Sequence, residues 1–319
     1  MLMHRTKPLR VLTWHVHGNY LYYLTQAPHE FHVVTKPGRP PGYAGRSGVL
    51  PWGNNVREVS AEDVASREFD VIVHQQRSHW ETDRLNLLSE AQRRLPQVYI
   101  EHDPPQEAPF AQRHWVDDPN ALLVHVTAFN QLMWDSGATP TRVIEHGVLV
   151  PEHARYTGGT PRGIVVVNHL RERGRRLGAD IFDTVRREVP LDLAGMDARS
   201  LGGLGEIANP ELPGFMARYR FFFNPIRWTS LGLAIVEAMT VGLPIVGLAT
   251  TELASVIRDG ENGFVDTRTA RLVQCMRTLI DDPALARQLG DAARRTARER
   301  FGIARFARDW DLALREVAA

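Results

Sequence analysis

A single cysteine, Cys275, among 319 residues excludes a disulfide framework and a cysteine-based zinc site. Nowhere is there an uncharged apolar run of the ~18 residues that a membrane-spanning helix needs, and the N-terminal stretch lacks the apolar stretch of a signal peptide. A reducing cytoplasm is the expected setting, with any membrane association peripheral, at the inner face. Charge is nearly balanced: 38 Lys and Arg against 37 Asp and Glu leave a net charge of +1. The strong basic excess of a nucleic-acid-binding protein is missing. Neither a G-x-S-x-G nucleophile elbow nor a Walker phosphate loop occurs, which removes the common hydrolase and phosphate-loop readings. Internal repeats and low-complexity tails are absent as well.

Apolar residues make up 43% of the chain, enough for buried cores. At ~100–200 residues per domain the length predicts two domains. Through the first half, strand-like stretches around Val11, Val33, Ile72, Tyr99, Val124 and Val143 alternate with helix-like ones such as Glu81 to Leu95. That is the pattern of a parallel sheet with helices on both faces. A polar, glycine-rich stretch, His153 to Gly163, follows Pro151, and a second series begins at Ile164. The chain is therefore expected to be α/β, with two doubly wound, Rossmann-like domains over residues 1–150 and 151–302. Functional groups should cluster at carboxyl ends of strands, facing a cleft between the domains. Pro37 to Gly53 predicts a long irregular loop of the kind that often carries function.

The densest signal lies in Phe221 to Val265. Phe221 to Phe223 read as a short buried strand, ended at Asn224-Pro225 because proline lacks the amide that a central ladder requires. Three consecutive aromatics cannot share one face of a strand, so they are core rather than a base-stacking platform. Ser230 and Gly232 then precede the helix former Leu233 to Met239, which Gly242 and Pro244 terminate before Ile245 resumes a strand. A helix starting there aims unpaired amides and its positive dipole end at an anion above the turn. Glu237 lies inside that helix and leans toward its N-terminus. Taken alone it is a solvated glutamate; beside an anion, its use is to accept hydrogen bonds from paired sugar hydroxyls.

The stretch NPIRWTSLGLAIVEAMTVGLPIV, Asn224 to Val246, resembles the donor-binding core of retaining glycosyltransferases of the GT-B fold, family 4, with its P-S-x-x-E-G-F-G-L-x-x-x-E-A-M-A-x-G-x-P-V-V pattern. The second family glutamate falls on Glu237 and the first on Thr229, a departure at the position that helps to hold the transferred sugar. The resemblance extends to RVIEHGVLVP, Arg142 to Pro151, and to Gly163–Phe182, where the family has a G-R-L-x-x-x-K-G-x-D pattern whose arginine and lysine hold the donor diphosphate. Here His169 replaces the arginine, and Arg173, Arg175 or Arg176 can supply the charge. Arg173 is favoured because it precedes Gly174 as the family lysine precedes its glycine. Arginine suits phosphate through its planar fork. Three arginines ahead of a helix also oppose its dipole unless an anion is present.

The resemblance implies a hexosyltransferase, retaining and metal-independent, that moves a sugar from a UDP- or GDP-linked donor to a glycan or lipid-linked acceptor in cell-envelope or surface polysaccharide synthesis. No cofactor beyond the nucleotide sugar is implied. Donor contacts would come from Gly18, Asn19, Arg173, Arg175, Arg176, Thr229, Ser230, Leu231, Gly232, Leu233 and Glu237. His102, after the strand that ends at Glu101, matches a family histidine that contacts the donor hexose; otherwise it is a turn histidine beside Asp103. The last helix, residues 303–319, is implied to cross back onto the first domain. His15 and His17, two apart, would face one side of an extended segment, but no third metal ligand is evident. Asp309-Trp310-Asp311 falls in a helical pattern and reads as a surface helix. The alternative from another class is a non-catalytic scaffold that keeps the GT-B shell, motivated by Thr229 and His169.

Overall fold

The computed structural model describes residues 7–319. The chain forms two compact units, one running to Gly147 and including Ile303–Ala319, the other Val148–Gly302. Among the described residues no helix is long and apolar enough to cross a membrane.

The first unit is built on seven parallel strands: β1 (Arg10–Thr13), β2 (Glu30–Thr35), β3 (Val56–Ser60), β4 (Val71–His74), β5 (Gln97–Glu101), β6 (Ala121–His125) and β7 (Thr141–Val143). Their order is β3-β2-β1-β4-β5-β6-β7, so the direction of winding reverses between β1 and β4. β4, β5 and β6 are buried along their whole length, which is why they read as continuous apolar runs. β3 was not among the expected strands. It lies at the sheet edge, and its two central residues, Arg57 and Glu58, are exposed, so the apolar signal is confined to its ends. Helix α1 (Gly18–Leu24) follows β1, and α2 (Ala128–Met133) follows β6.

The helix-like stretch Glu81 to Leu95 is broken. A wide helical turn occupies His79–Asp83, and a separate short helix starts at Ser89, whose Oγ accepts from the Gln92 amide while the Gln92 side chain accepts from the Ser89 amide. This reciprocal cap supplies the start signal that an averaged periodicity hides.

The closing helix, Ile303–Val317, belongs to the first unit. Phe306, Trp310, Ala313 and Leu314 are buried at helical spacing. Asp309 and Asp311 are engaged along the helix by Arg305 and Arg315, both at 2.8 Å. Arg305 also donates to the carbonyls of Glu145 and His146. His29, whose Nδ1 accepts from the Leu9 amide, brings Nε2 to 3.1 Å from Asp311 Oδ1.

The second unit has five parallel strands, β8 (Thr160–Val166), β9 (Leu191–Ala194), β10 (Tyr219–Asn224), β11 (Ile245–Leu248) and β12 (Gly263–Asp266), in the order β12-β11-β10-β8-β9. Helices α3 (Leu170–Leu177) and α4 (Ala179–Val185) follow β8, α5 (Leu233–Val241) follows β10, and α6 (Thr269–Asp281) and α7 (Pro283–Arg300) follow β12. Phe221, Phe222 and Phe223 are fully buried, as core residues should be. A Cβ on Gly163 would lie 2.3 Å from the Phe221 ring, so glycine in β8 makes room for the phenylalanine paired beside it.

A Cβ on Gly147 would approach Phe306 Cβ to 2.2 Å. Gly147→Ala should therefore push the closing helix off its seat and cost about 1–3 kcal/mol of stability, the usual penalty of overpacking. Denaturant unfolding checks this, with Gly147→Ala/Phe306→Ala expected to recover part of the loss that either clash or cavity alone produces.

Candidate functional site

In the second unit the winding reverses between β8 and β10. Parallel α/β sheets bind ligands at such a point, outside the carboxyl ends of the strands. The loops after β8 and β10 meet there. Gly178, left-handed at φ +82°, has the Pro225 carbonyl oxygen 2.0 Å from where a Cβ would sit. The Arg176 carbonyl accepts from the amides of Arg227 (3.0 Å) and Trp228 (3.2 Å). The loop after β9 joins them: Asn168 Oδ1 accepts from the Met196 amide at 2.9 Å, and the His169 amide donates to the Met196 carbonyl at 2.8 Å.

Thr229, Ser230, Leu231, Gly232 and Leu233 form the turn into α5. Gly232 is the N-cap and carries no side chain to occupy the first amides of the helix. The Ile235 amide donates to the Gly232 carbonyl at 3.1 Å, and the amides ahead of it, with the dipole, favour an anion. Glu237, one turn in, is buried rather than solvated, with 1% of its surface exposed. Asn209 Nδ2 lies 3.5 Å from its Oε1. A carboxylate buried this deeply is stable only among hydrogen-bond donors.

The three arginines do not precede a helix as a block. α3 starts at Leu170 behind His169, which is left-handed at φ +52°, and breaks at Gly174 (φ +55°, ψ −137°). Arg173 ends the first half, while Arg175 and Arg176 lie in the second. Arg175 is exposed and its Nη1 is 2.7 Å from Asp180 Oδ2. Asp180 is further gripped by Arg227 at 2.6 and 2.8 Å. Hydrogen bonding to Arg227 holds its carboxyl below the ordinary range. Arg227 and Asn209 were not among the residues singled out in the sequence. Arg227 sits in the motif itself, and its basic side chain ahead of Ser230 was the available signal; Asn209 reaches Glu237 from a loop 28 residues away and left none.

In the first unit, His15 and His17 do not converge. The chain turns into α1 at Gly18 with His17 as N-cap. His15 Nδ1 pairs with the Gly45 carbonyl in the Pro37–Gly53 loop, and its ring packs edge-on to Trp52. A Cβ on Gly18 would lie 2.9 Å from His15 Nε2, so the space that glycine leaves is filled by that ring. Asn19 is half-buried in the first turn of α1. His17 instead meets His102, with ring centroids 4.5 Å apart, and Tyr20 packs edge-on to His102 at 4.6 Å. Burial first, then His17 and His146, holds the His102 imidazole well below its ordinary pKa, so it is neutral. Among the described residues its Nε2 is buried without a hydrogen-bond partner.

The segment carrying His102 is braced by Glu101. Oε1 of this buried carboxyl accepts from the Asp103 amide at 2.9 Å, with the His102 amide also directed at it, and Oε2 meets His114 Nε2 at 3.0 Å. His114 Nδ1 accepts from the Val116 amide at 3.0 Å. The proton is therefore on Nε2, and the ring donates to Glu101. On the other side, Trp134 Nε1 donates to the Asp103 carbonyl at 2.8 Å. Both backbone groups of Asp103 are thus fixed, and His102 with them.

Burial pushes the Glu101 carboxyl up to about 8. A carboxyl raised on folding binds its proton more tightly in the native state, so its contribution is full below about 4.5 and declines as pH rises through about 8. Glu101→Gln should flatten that decline in a series of thermal melts across pH. It should also cost about 1–3 kcal/mol, because an amide nitrogen or oxygen facing His114 leaves one bond of the bracket unmade.

A profile of the family described as glycosyl transferases group 1 matches residues 182–282, all within the second unit. A D-inositol 3-phosphate glycosyltransferase of Streptomyces avermitilis is 34% identical over 163 residues, 50% of this chain and 30% of that protein. Across the curated relatives compared, the matched segments span 17–30% of their lengths. Sucrose-phosphate synthase from Thermosynechococcus elongatus superposes with a TM-score of 0.73 at 16% identity, over 98% of this chain and 99% of that one. Anabaena HepE, solved in complex with UDP-glucose, gives 0.71 at 15% identity over 97% and 100%. The two parallel-sheet α/β units and these structural likenesses establish the GT-B fold for this chain, with the group 1 glycosyl transferase match lying in its second unit.

Proposed function

We propose that the protein is a retaining, metal-independent family 4 glycosyltransferase that passes a sugar from a nucleotide-diphosphate donor to a glycan or lipid-linked acceptor of the cell envelope. The observation that carries this reading is the switch point of the second unit, where an uncapped helix start, a basic elbow and a buried carboxylate lie on loops locked to one another. The helix start and Arg173 or Arg176 suit a diphosphate leaving group, stabilised by preorganised charge without a metal being required. Arg175 is engaged by Asp180, and Arg227 joins the same pair, so these two shape the elbow.

Glu237 accepts from the ribose hydroxyls, a role its burial suits because paired hydroxyls satisfy a carboxylate without adding charge. His102, neutral and held by Glu101, contacts the transferred hexose. Thr229 replaces the glutamate that holds the sugar in similar enzymes, which makes the sugar pocket of this chain its own. HepE in complex with UDP-glucose supports a UDP-linked donor. A cytoplasmic site, at the inner face of the membrane, is where such donors are available.

Thermal melts with UDP-, GDP-, TDP- and ADP-sugars should show one nucleotide series raising Tm, since a ligand that binds the native state stabilises it in proportion to affinity. Glu237→Ala should weaken that nucleotide by about ten- to a hundredfold, the equivalent of ~1.5–3 kcal/mol for hydrogen bonds to a charged group. His102→Ala should leave nucleotide affinity in place and slow transfer. No shift with any series in folded protein would overturn the enzyme reading in favour of a scaffold; unaltered affinity in the first variant would remove Glu237 from the ribose.

A further inference from the structure

Asn209 stands in the connection between β9 and β10, and this connection is fixed at both ends. Where it leaves β9, the Gly195 amide donates to the Gly205 carbonyl at 2.9 Å and the Leu204 amide to the Leu193 carbonyl at 2.8 Å. A Cβ on Gly203 would lie 2.6 Å from the Leu193 carbonyl oxygen, so the loop presses directly on the strand. At its other end the chain enters a short helix, Leu212–Met216, which buries Leu212, Pro213 and Met216 and packs against α5. The turn into that helix is closed by the Glu211 and Leu212 amides on the Ala208 carbonyl, at 2.9 and 3.0 Å, and by the Leu212 amide on the Asn209 carbonyl at 3.3 Å.

This turn carries a neutral amide, half-buried, beside the carboxylate of Glu237, which is 1% exposed. Asn209 Nδ2 lies 3.5 Å from Glu237 Oε1, the outer limit of a hydrogen bond. Only the nitrogen end of the amide suits that oxygen, because a carboxylate accepts and does not donate, so the orientation of the amide is set. The terminal torsion of a glutamate is soft and two-fold. A donor fixed on one oxygen restrains that rotation and keeps the other oxygen in one direction. An amide does so without cancelling the negative charge, as an arginine or lysine would, and the carboxylate keeps its strength as an acceptor.

We infer that Asn209 is a positioning residue for nucleotide binding, which acts through Glu237 and favours nucleotides whose ribose carries its hydroxyl pair. This rests on the reading of Glu237 as the acceptor of those hydroxyls and adds to it the residue that orients the carboxylate. The two hydroxyls have a fixed spacing, so a carboxylate that meets both must lie in one plane. Restraining it before the ligand arrives lowers the entropic cost of binding. The long contact to Nδ2 tightens in the complex, as hydrogen bonds of unliganded sites do.

Isothermal titration of the full-length protein with UDP, GDP and ADP, each beside its 2′,3′-dideoxy counterpart, tests the role. For the ribonucleotide that binds, Asn209→Ala should weaken affinity about three- to tenfold, the equivalent of one hydrogen bond. The dideoxy form gives Glu237 no hydroxyl to meet, so the same variant should change its affinity by less than about twofold. Asn209→Asp keeps the shape of the side chain but sets a second carboxylate against Glu237, and should lose about tenfold or more with the ribonucleotide. Added to Glu237→Ala, Asn209→Ala should cost nothing further, since the two residues act as a unit. Equal losses for ribonucleotide and dideoxynucleotide in Asn209→Ala, affinity near wild type in Asn209→Asp, or a full further loss on top of Glu237→Ala would overturn the role of Asn209 and leave Glu237 at the ribose. If Glu237→Ala itself weakens the two forms equally, the ribose reading fails and the role of Asn209 falls with it. Binding of none of the three nucleotides to the wild type overturns both.

Discussion

The carbonyl oxygen of Pro225 occupies the place that a side chain on residue 178 would need, and the architecture of the candidate donor site depends on that exclusion. Glycine there lets the chain leave α3 in a left-handed conformation and press directly on the loop after β10. Once the two loops are in contact, the Arg176 carbonyl can cap the amides of Arg227 and Trp228, and Arg227 can reach Asp180. The turn from Thr229 to Gly232 is thereby held where the winding of the sheet reverses. A ligand would meet loops that are already ordered, which lowers the entropic cost of binding.

The first unit solves a similar problem by burying polar groups. Its candidate histidine lies on a loop, and loops carry function at the expense of rigidity. Here rigidity is supplied by a carboxyl that has been taken out of water and given N–H donors on both sides, from the backbone and from His114. The aromatic rings of Tyr99, Trp115 and Trp134 surround His114 and prevent it from turning. Burial of this kind is costly when a single donor is missing, so the arrangement is all-or-none: complete, it fixes the segment, and incomplete, it is worse than an apolar filling.

Charge in this protein is unevenly paired. Arg10, Arg227 and Arg271 are committed to carboxylates and serve the fold. Among the described residues Arg287, Arg294, Arg295 and Arg298 of α7 make no such ion pair, whereas Arg300 at its end meets Glu252 at 2.9 Å, although acidic residues are nearly as numerous in the chain as basic ones. A balanced total therefore conceals a local imbalance. The near-zero net charge lacks the basic excess that usually accompanies binding of a large polyanion, and it does not describe the charge on any one helix face.

Strand content was legible because buried parallel strands are continuous apolar runs, and the turn into α5 was legible because glycine and proline punctuate it at fixed intervals. The motif around Glu237 was legible for the same reason: its residues are neighbours in the chain. Edge strand β3 was not legible, since two of its five residues, Arg57 and Glu58, face solvent and carry charge. Nor was the break in Glu81 to Leu95, which a single reciprocal cap decides. The sequence by itself determined the fold class, the buried strands and the glycine-bearing turn into α5, all of which follow from periodicity and backbone freedom over a few residues. Only the tertiary structure decided that Glu237 is buried, that the His15 ring lies against Gly18, that Arg175 is engaged by Asp180, and that Glu101 braces the loop of His102. Those outcomes depend on which distant side chains arrive together, and burial and pairing energies are properties of the assembled neighbourhood rather than of any one segment.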